Sequence, residues 1–156
     1  MTAKPRRPPP VSRSAARLGA VQALYQMDLA GTDVGEVLAQ FSARAAGEAF
    51  EDGQCGEADF PLLRQIVDGV VREQAVIDPA LNAALDPSWP LTRIDSTLRA
   101  TLRAAAYEIM FMPNIPARVT ITEYLDVAHA FFSGEEPSLV NGVLNRLARE
   151  KREAEF

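Results

Sequence analysis

Apolar positions recur along most of this chain at intervals of three and four, the spacing of helices that turn one face to a core. Ser12 or Ser14 can cap a first helix running to about Ala30, with Gly31 as its stop. Asp33–Phe41 reads as a second helix. A third, Phe60–Val76, carries Leu62, Leu63, Ile66, Val67, Val70 and Val71 on one side. Asp78-Pro79 places a proline at a first helical position and predicts a fourth, to Leu85. Asp86–Pro90 is a turn around Trp89. Thr92-Arg93-Ile94-Asp95 fits a capping box ahead of a long helix to about Met112. The buried stripe of that helix is Leu98, Leu102, Ala105, Ala106, Ile109 and Met110. Pro113-Asn114-Ile115-Pro116 ends it. Thr120-Ile121-Thr122-Glu123, a second capping box, opens a helix to Phe132. After the break at Ser133-Gly134, Pro137 starts a last helix to about Arg152, with Leu139, Val140, Val143, Leu144, Leu147 and Ala148 as its apolar face. Nothing alternates long enough to build a sheet. The pattern predicts an all-α bundle of about seven helices.

Two segments fall outside this pattern. Residues 1–11, with Pro5 and Pro8–Pro10, predict a flexible arm, extended or disordered, leaving one domain over 12–152. Residues 42–59 turn polar and acidic around Gly47, Gly53 and Gly56 and read as a loop. Cys55 within it has no basic neighbour to make it a thiolate. Asn141-Gly142 would signal a hairpin in isolation, but the periodicity around it is helical. A glycine there costs about 1 kcal/mol against alanine. The expected reason is close approach of a neighbouring backbone, with Asn141 hydrogen-bonding across the contact.

Length and composition narrow the function. With 156 residues and 47% apolar content, the chain can bury one real core. No apolar run approaches the ~20 residues of a membrane helix. The N-terminus lacks the apolar stretch of a secretory signal. One cysteine and one histidine exclude an internal disulfide and a Cys/His zinc site. These features point to the cytoplasm. The net charge of −5 is unevenly spread: residues 1–27 hold Lys4, Arg6, Arg7, Arg13 and Arg17 and no acid, while the rest holds 11 basic and 21 acidic residues. A basic arm on an acidic body fits local, salt-sensitive binding of a polyanion. A merely solubilising terminus is the alternative.

Catalytic signatures are missing. There is no glycine-rich phosphate loop, nucleophile elbow or HExxH, and His129 has no suggested partner. The chemistry of the sequence is cationic. Arg13 and Arg17 lie four apart on the first helix and share a face. Arg17 falls inside the apolar arc with Ala20, Val21 and Leu24, so two roles stand open for it. It either contacts RNA or pairs, partly buried, with a carboxylate such as Asp95 or Glu108. Arg13 is the better phosphate ligand. Arg99 and Arg103 can extend a basic face or form salt bridges. Tyr25 either packs or meets a protein partner.

Four stretches together resemble the NusB family of transcription antitermination factors. They are Arg13–Tyr25, with Ala20-Val21-Gln22-Ala23-Leu24-Tyr25 at its centre; Leu102-Arg103-Ala104-Ala105-Ala106-Tyr107-Glu108; Ile115–Glu123; and Leu139-Val140-Asn141-Gly142-Val143-Leu144. The resemblance covers roughly residues 12–150. It implies two small helical subdomains, and pairing with the small-subunit ribosomal protein also called NusE. It further implies binding of boxA RNA in rRNA transcripts within an antitermination complex with RNA polymerase, supporting rRNA maturation, with no cofactor. The family's basic arm maps onto Arg13 and Arg17, with Lys4, Arg6 and Arg7 beside them, and its partner and RNA surface onto Tyr25, Glu135 and Leu139. The chain departs from the pattern at several places. Ser14 and Ala15 interrupt the arginine cluster, Leu18 replaces an acid, Thr122 replaces an asparagine, and Ser138-Leu139 replaces a basic and an aromatic residue. These departures predict weaker RNA binding alone and greater reliance on the partner. A homodimer, a helical protein–protein adaptor and a detached domain of an rRNA methyltransferase remain the alternatives.

Overall fold

The computed structural model describes residues 12–47 and 59–156, with 43–47 described by their backbone. Six α-helices make up these residues: α1 (Arg13–Ala30), α2 (Val34–Gly47), α3 (Phe60–Ala84), α4 (Ser96–Phe111), α5 (Ala117–Phe131) and α6 (Glu136–Lys151). Short 3-10 turns occupy Leu91–Arg93 and Glu153–Glu155. Helices α1, α2 and α3 pack on one another, as do α4, α5 and α6. Helix α4 joins the two groups, packing on α1 and α3 as well as on α5 and α6. It is buried on nearly every side, including Leu98, Leu102, Ala105 and Ile109. Its alanines, Ala100, Ala104, Ala105 and Ala106, are the short side chains that let four neighbours approach one axis.

Cap chemistry sets the helix ends. Ser12 caps α1, its Oγ accepting from the Ala15 amide at 3.0 Å, and Gly31 closes the helix with φ 65°. Asp59 caps α3 through the Leu62 amide. Asp95 caps α4 through Thr97 and Leu98.

Several boundaries differ from the sequence expectation. The predicted third and fourth helices are one, because α3 runs through Pro79 to Ala84. Ile77 and Leu81 continue the buried stripe of Ile66, Val67 and Val70. That burial outweighs the roughly 3 kcal/mol an interior proline costs. The merger gives six helices in place of about seven. Helix α2 extends to Gly47, so residues 42–47 are helical, not loop. The predicted capping boxes do not form as such. Asp95 caps α4 alone, and Thr120–Glu123 lies inside α5, which starts at Ala117. Pro116 offers α5 no side-chain cap; instead Glu155 Oε1 accepts from the Ala117 amide at 2.9 Å.

Gly142 does not meet a neighbouring backbone as expected, and the space beside it would admit a Cβ in ordinary contact. A Cβ there would meet the Arg146 guanidinium at 3.5 Å, and Arg146 reaches across to the Ala84 carbonyl at 2.7 Å. Asn141 pairs within its own helix, accepting from Asn145. Glycines that admit a neighbouring helix closely are Gly69, where a Cβ would come within 2.2 Å of the Tyr107 ring, and Gly19, where it would come within 2.8 Å of Leu63. The predicted arm, and Cys55, lie outside the described residues.

Candidate nucleic-acid interface

The arginines singled out by the sequence do not form one surface. Arg17 is 2% exposed, turned into the junction of α1, α4 and α5. Its Nε donates to Glu108 Oε2 at 2.9 Å and its Nη2 to Glu108 Oε1 at 3.0 Å, a bidentate fork between α1 and α4. Tyr124, fully buried on α5, donates its hydroxyl to the same Glu108 Oε2. Glu123 lies 3.7 Å from Arg17 Nη1 and accepts from Ser14 Oγ at 2.9 Å. Burial by itself would lower the Arg17 pKa; the hydrogen bond and charge of Glu108 outweigh it and raise the value. Burial, and then the Glu108 charge, push the Tyr124 phenol well above its ordinary value, so it stays a neutral donor.

Arg99 and Arg103 are also held internally. Arg99 joins Asp28 of α1 at 2.5 Å and donates to the carbonyls of Leu91, Thr92 and Ile94. Arg103 makes a second fork, to both oxygens of Asp78 at 2.9 Å, tying α4 to α3. Asp78, taken from the sequence as a helix start, is therefore a mid-helix ligand for an arginine. These three guanidiniums direct their donors at carboxylates and carbonyls of the fold.

Arg13 differs. It begins α1, is exposed, and makes no ion pair or hydrogen bond among the described residues. Its guanidinium is open to a phosphate, as are those of Arg93 and Arg118, which are likewise exposed and unpartnered and which the sequence did not single out. No periodic signal marks those two, since their freedom depends on what the folded neighbours lack. Lys4, Arg6 and Arg7 lie outside the described residues. Ser12, which links them to α1, sits beside α3, its carbonyl accepting from the Asp59 amide at 3.0 Å. Ser12, the first described residue, thus stands where α1 and α3 begin.

Glu135 and Leu139 do meet. With Trp89, Leu85, Leu98 and Val143 they line an open groove of about 700 Å³ between the end of α3 and the start of α6. Its charged lining is Asp86, Glu135 and Glu136 with one cation, Arg146. Two hydrogen bonds from Ser88 hold the Asp86 carboxyl below its ordinary pKa, so the lining keeps its charge there. Trp89, which the sequence placed only in a turn, is 58% exposed at this groove. Tyr25 is not part of it and lies exposed on α1. Among the described residues no cluster of three potential metal ligands occurs, and no helix is long and apolar enough to cross a membrane.

Comparison with known proteins agrees with this architecture. The model of the NusB family matches residues 14–149. The transcription antitermination protein NusB of Rhizobium rhizogenes is 50% identical over 140 residues, covering 90% of this chain and 88% of that protein. The protein of that name from Agrobacterium fabrum is 48% identical over 152 residues, covering 96% of this chain and 92% of its own length. Among solved structures, NusB of T. maritima superposes with a TM-score of 0.76 at 26% identity, over 94% of this chain and 97% of that one. A structure of antitermination factors NusB and NusE in complex with dsRNA shares the fold, with a TM-score of 0.73 at 22% identity over 88% of this chain and 96% of the matched chain. The family model spans most of the chain and the relatives exceed the identity at which fold and family part company. This chain belongs to the NusB family.

Proposed function

We propose that this chain is a transcription antitermination factor that binds boxA-type RNA of rRNA transcripts together with the ribosomal protein NusE, as a subunit of the antitermination complex with RNA polymerase in the cytoplasm. Its task is binding, with no reaction catalysed. The observation that supports this most directly is the match to the NusB family over residues 14–149, with Arg13, the residue just before that segment, exposed and without a partner among the described residues. The basic N-terminal segment and Arg13 supply phosphate contacts. Arg17, Arg99 and Arg103 fix the helices from which those contacts are made. The groove holding Glu135 and Leu139, whose apolar lining is joined by three carboxylates against the one cation Arg146, suits a basic protein surface better than a phosphate backbone. It is the proposed seat of the ribosomal partner.

The test is fluorescence anisotropy of a labelled boxA-type RNA titrated with this protein, with and without NusE, at two salt concentrations. Tight binding that is salt-dependent and needs the partner supports the reading. A folded protein that binds no RNA in either condition moves it to a protein–protein adaptor.

A further inference from the structure

Helices α1 and α4 run antiparallel, since Asp28 near the end of α1 meets Arg99 near the start of α4, and Arg17 meets Glu108. The last residue of α4, Phe111, therefore lies at the end of the bundle where α1 begins. Helical geometry gives its direction. On α4, Tyr107 faces Gly69 of α3 and Glu108 faces α1. Phe111 projects about 40° from Tyr107 toward the Glu108 side, between the directions of α3 and α1. Arg13 projects by the same rule about 40° from Arg17, toward the side of α1 that carries Gly19 against Leu63 of α3. The cation without a partner among the described residues and the aromatic ring thus lie at the same end of the bundle, both turned toward the α3 side.

The ring is both exposed and fixed. Phe111 is 37% exposed, and it stacks on Tyr107 with centroids 5.4 Å apart and planes 23° from parallel. Tyr107 is itself buried over Gly69 and has nowhere to move. Beyond Phe111 the chain is fastened by Arg152, which donates to the carbonyls of Ile109, Pro113 and Ile115 at 3.4, 3.1 and 2.8 Å. An exposed ring held flat needs no ordering when a second ring settles on it, which is what makes a stacking platform effective.

We propose that Phe111 stacks one base of a single-stranded RNA whose adjoining phosphate is held by Arg13. This rests on the RNA-binding reading above and adds a residue to it that lies outside the basic segment and outside the groove. A phenyl face accepts any base, so the contact contributes affinity and position but no sequence preference.

The experiment compares wild type, Phe111→Leu and Phe111→Tyr in complex with NusE, on a boxA-type RNA, across a salt series. Leucine keeps apolar area and removes the aromatic face; tyrosine keeps the face. The expected result is binding about five-fold or more weaker for Phe111→Leu, the lower end of what one stacked base contributes, with the salt slope of wild type. Phe111→Tyr should bind within about two-fold of wild type, and both variants should keep the wild-type melting temperature within a few degrees. Wild-type affinity in Phe111→Leu, or an equal loss in Phe111→Tyr, overturns the stacking role while leaving RNA binding intact. A wild-type complex that binds no RNA overturns the function itself, and this contact with it.

Discussion

Two arginines one turn apart on the same helix have opposite surroundings. Arg17 is buried against Glu108 and, through it, Tyr124, with the partly exposed Glu123 at the edge. Arg13, about 6 Å earlier along the axis, meets solvent. The helix supplies both with the same backbone and nearly the same direction. What separates them is the length of the facing helices. Helix α4 offers a carboxylate opposite Arg17, but it ends at Phe111, opposite the first turn of α1. A guanidinium inside the bundle fixes three helices, and one past its end is free for a ligand. The same division runs through the rest of the set, with Arg99 and Arg103 bound to Asp28 and Asp78 inside the bundle's span.

If that division is right, the largest effect comes from emptying the buried side. Glu108→Ala leaves a guanidinium buried with only the more distant Glu123, and should cost about 3–5 kcal/mol in urea unfolding. Replacing both partners, Arg17→Met with Glu108→Leu, should recover much of that loss. A double variant as unstable as the single one would show that the pair's geometry, not its buried charge, carries the stability. Tyr124→Phe, which removes one donor to Glu108, should cost about 1–3 kcal/mol. It should also change the alkaline limb. The Tyr124 pKa is raised in the fold, so the stability it contributes is complete below the ordinary tyrosine value of about 10 and is lost as pH rises beyond it. Unfolding followed from pH 9 upward should therefore be steeper in wild type than in Tyr124→Phe. Equal slopes would mean that another group governs the limb. Arg103→Ala, at a partly exposed fork, should cost no more than about 1 kcal/mol.

The division was only half legible from sequence. The apolar arc around Arg17 made burial one of two open roles, and Glu108 was one of two carboxylates within that reading. Choosing it required the antiparallel register of α1 and α4, which periodicity does not carry. The exposed roles were harder. Arg99 and Arg103 share a helical face and read equally well as a basic patch, until Asp28 and Asp78 are brought to them by other helices. Local rules failed where a distant segment intervened. Thr120–Glu123 looked like a helix start, yet the first amide of α5 is capped by Glu155, 38 positions away in sequence. Pro79 looked like a start because proline suits one, while the buried register of Ile77 and Leu81 carried α3 through it. The groove at Trp89 needed the end of α3 and the start of α6 side by side, and no spacing announces that.

The smallest effect on stability, and the sharpest test of the comparison, belongs to Arg13→Ala. The side chain has no partner among the described residues, so the melting temperature should stay within about one degree of wild type. Its effect should appear only in RNA binding, and there as a slope. Each phosphate neutralised on a single strand contributes about 0.7 to the dependence of log affinity on log salt. Arg13→Ala should flatten the slope by about that amount, and its loss of affinity should shrink as salt rises. The buried-side variants, compared at temperatures where they stay folded, should keep the wild-type slope, because they remove no phosphate contact. An Arg13→Ala complex with an unchanged slope would leave the phosphate contacts to Lys4, Arg6 and Arg7, or to Arg93 and Arg118. A flattened slope in folded Arg99→Ala would return that guanidinium to the RNA surface despite its hold on Asp28.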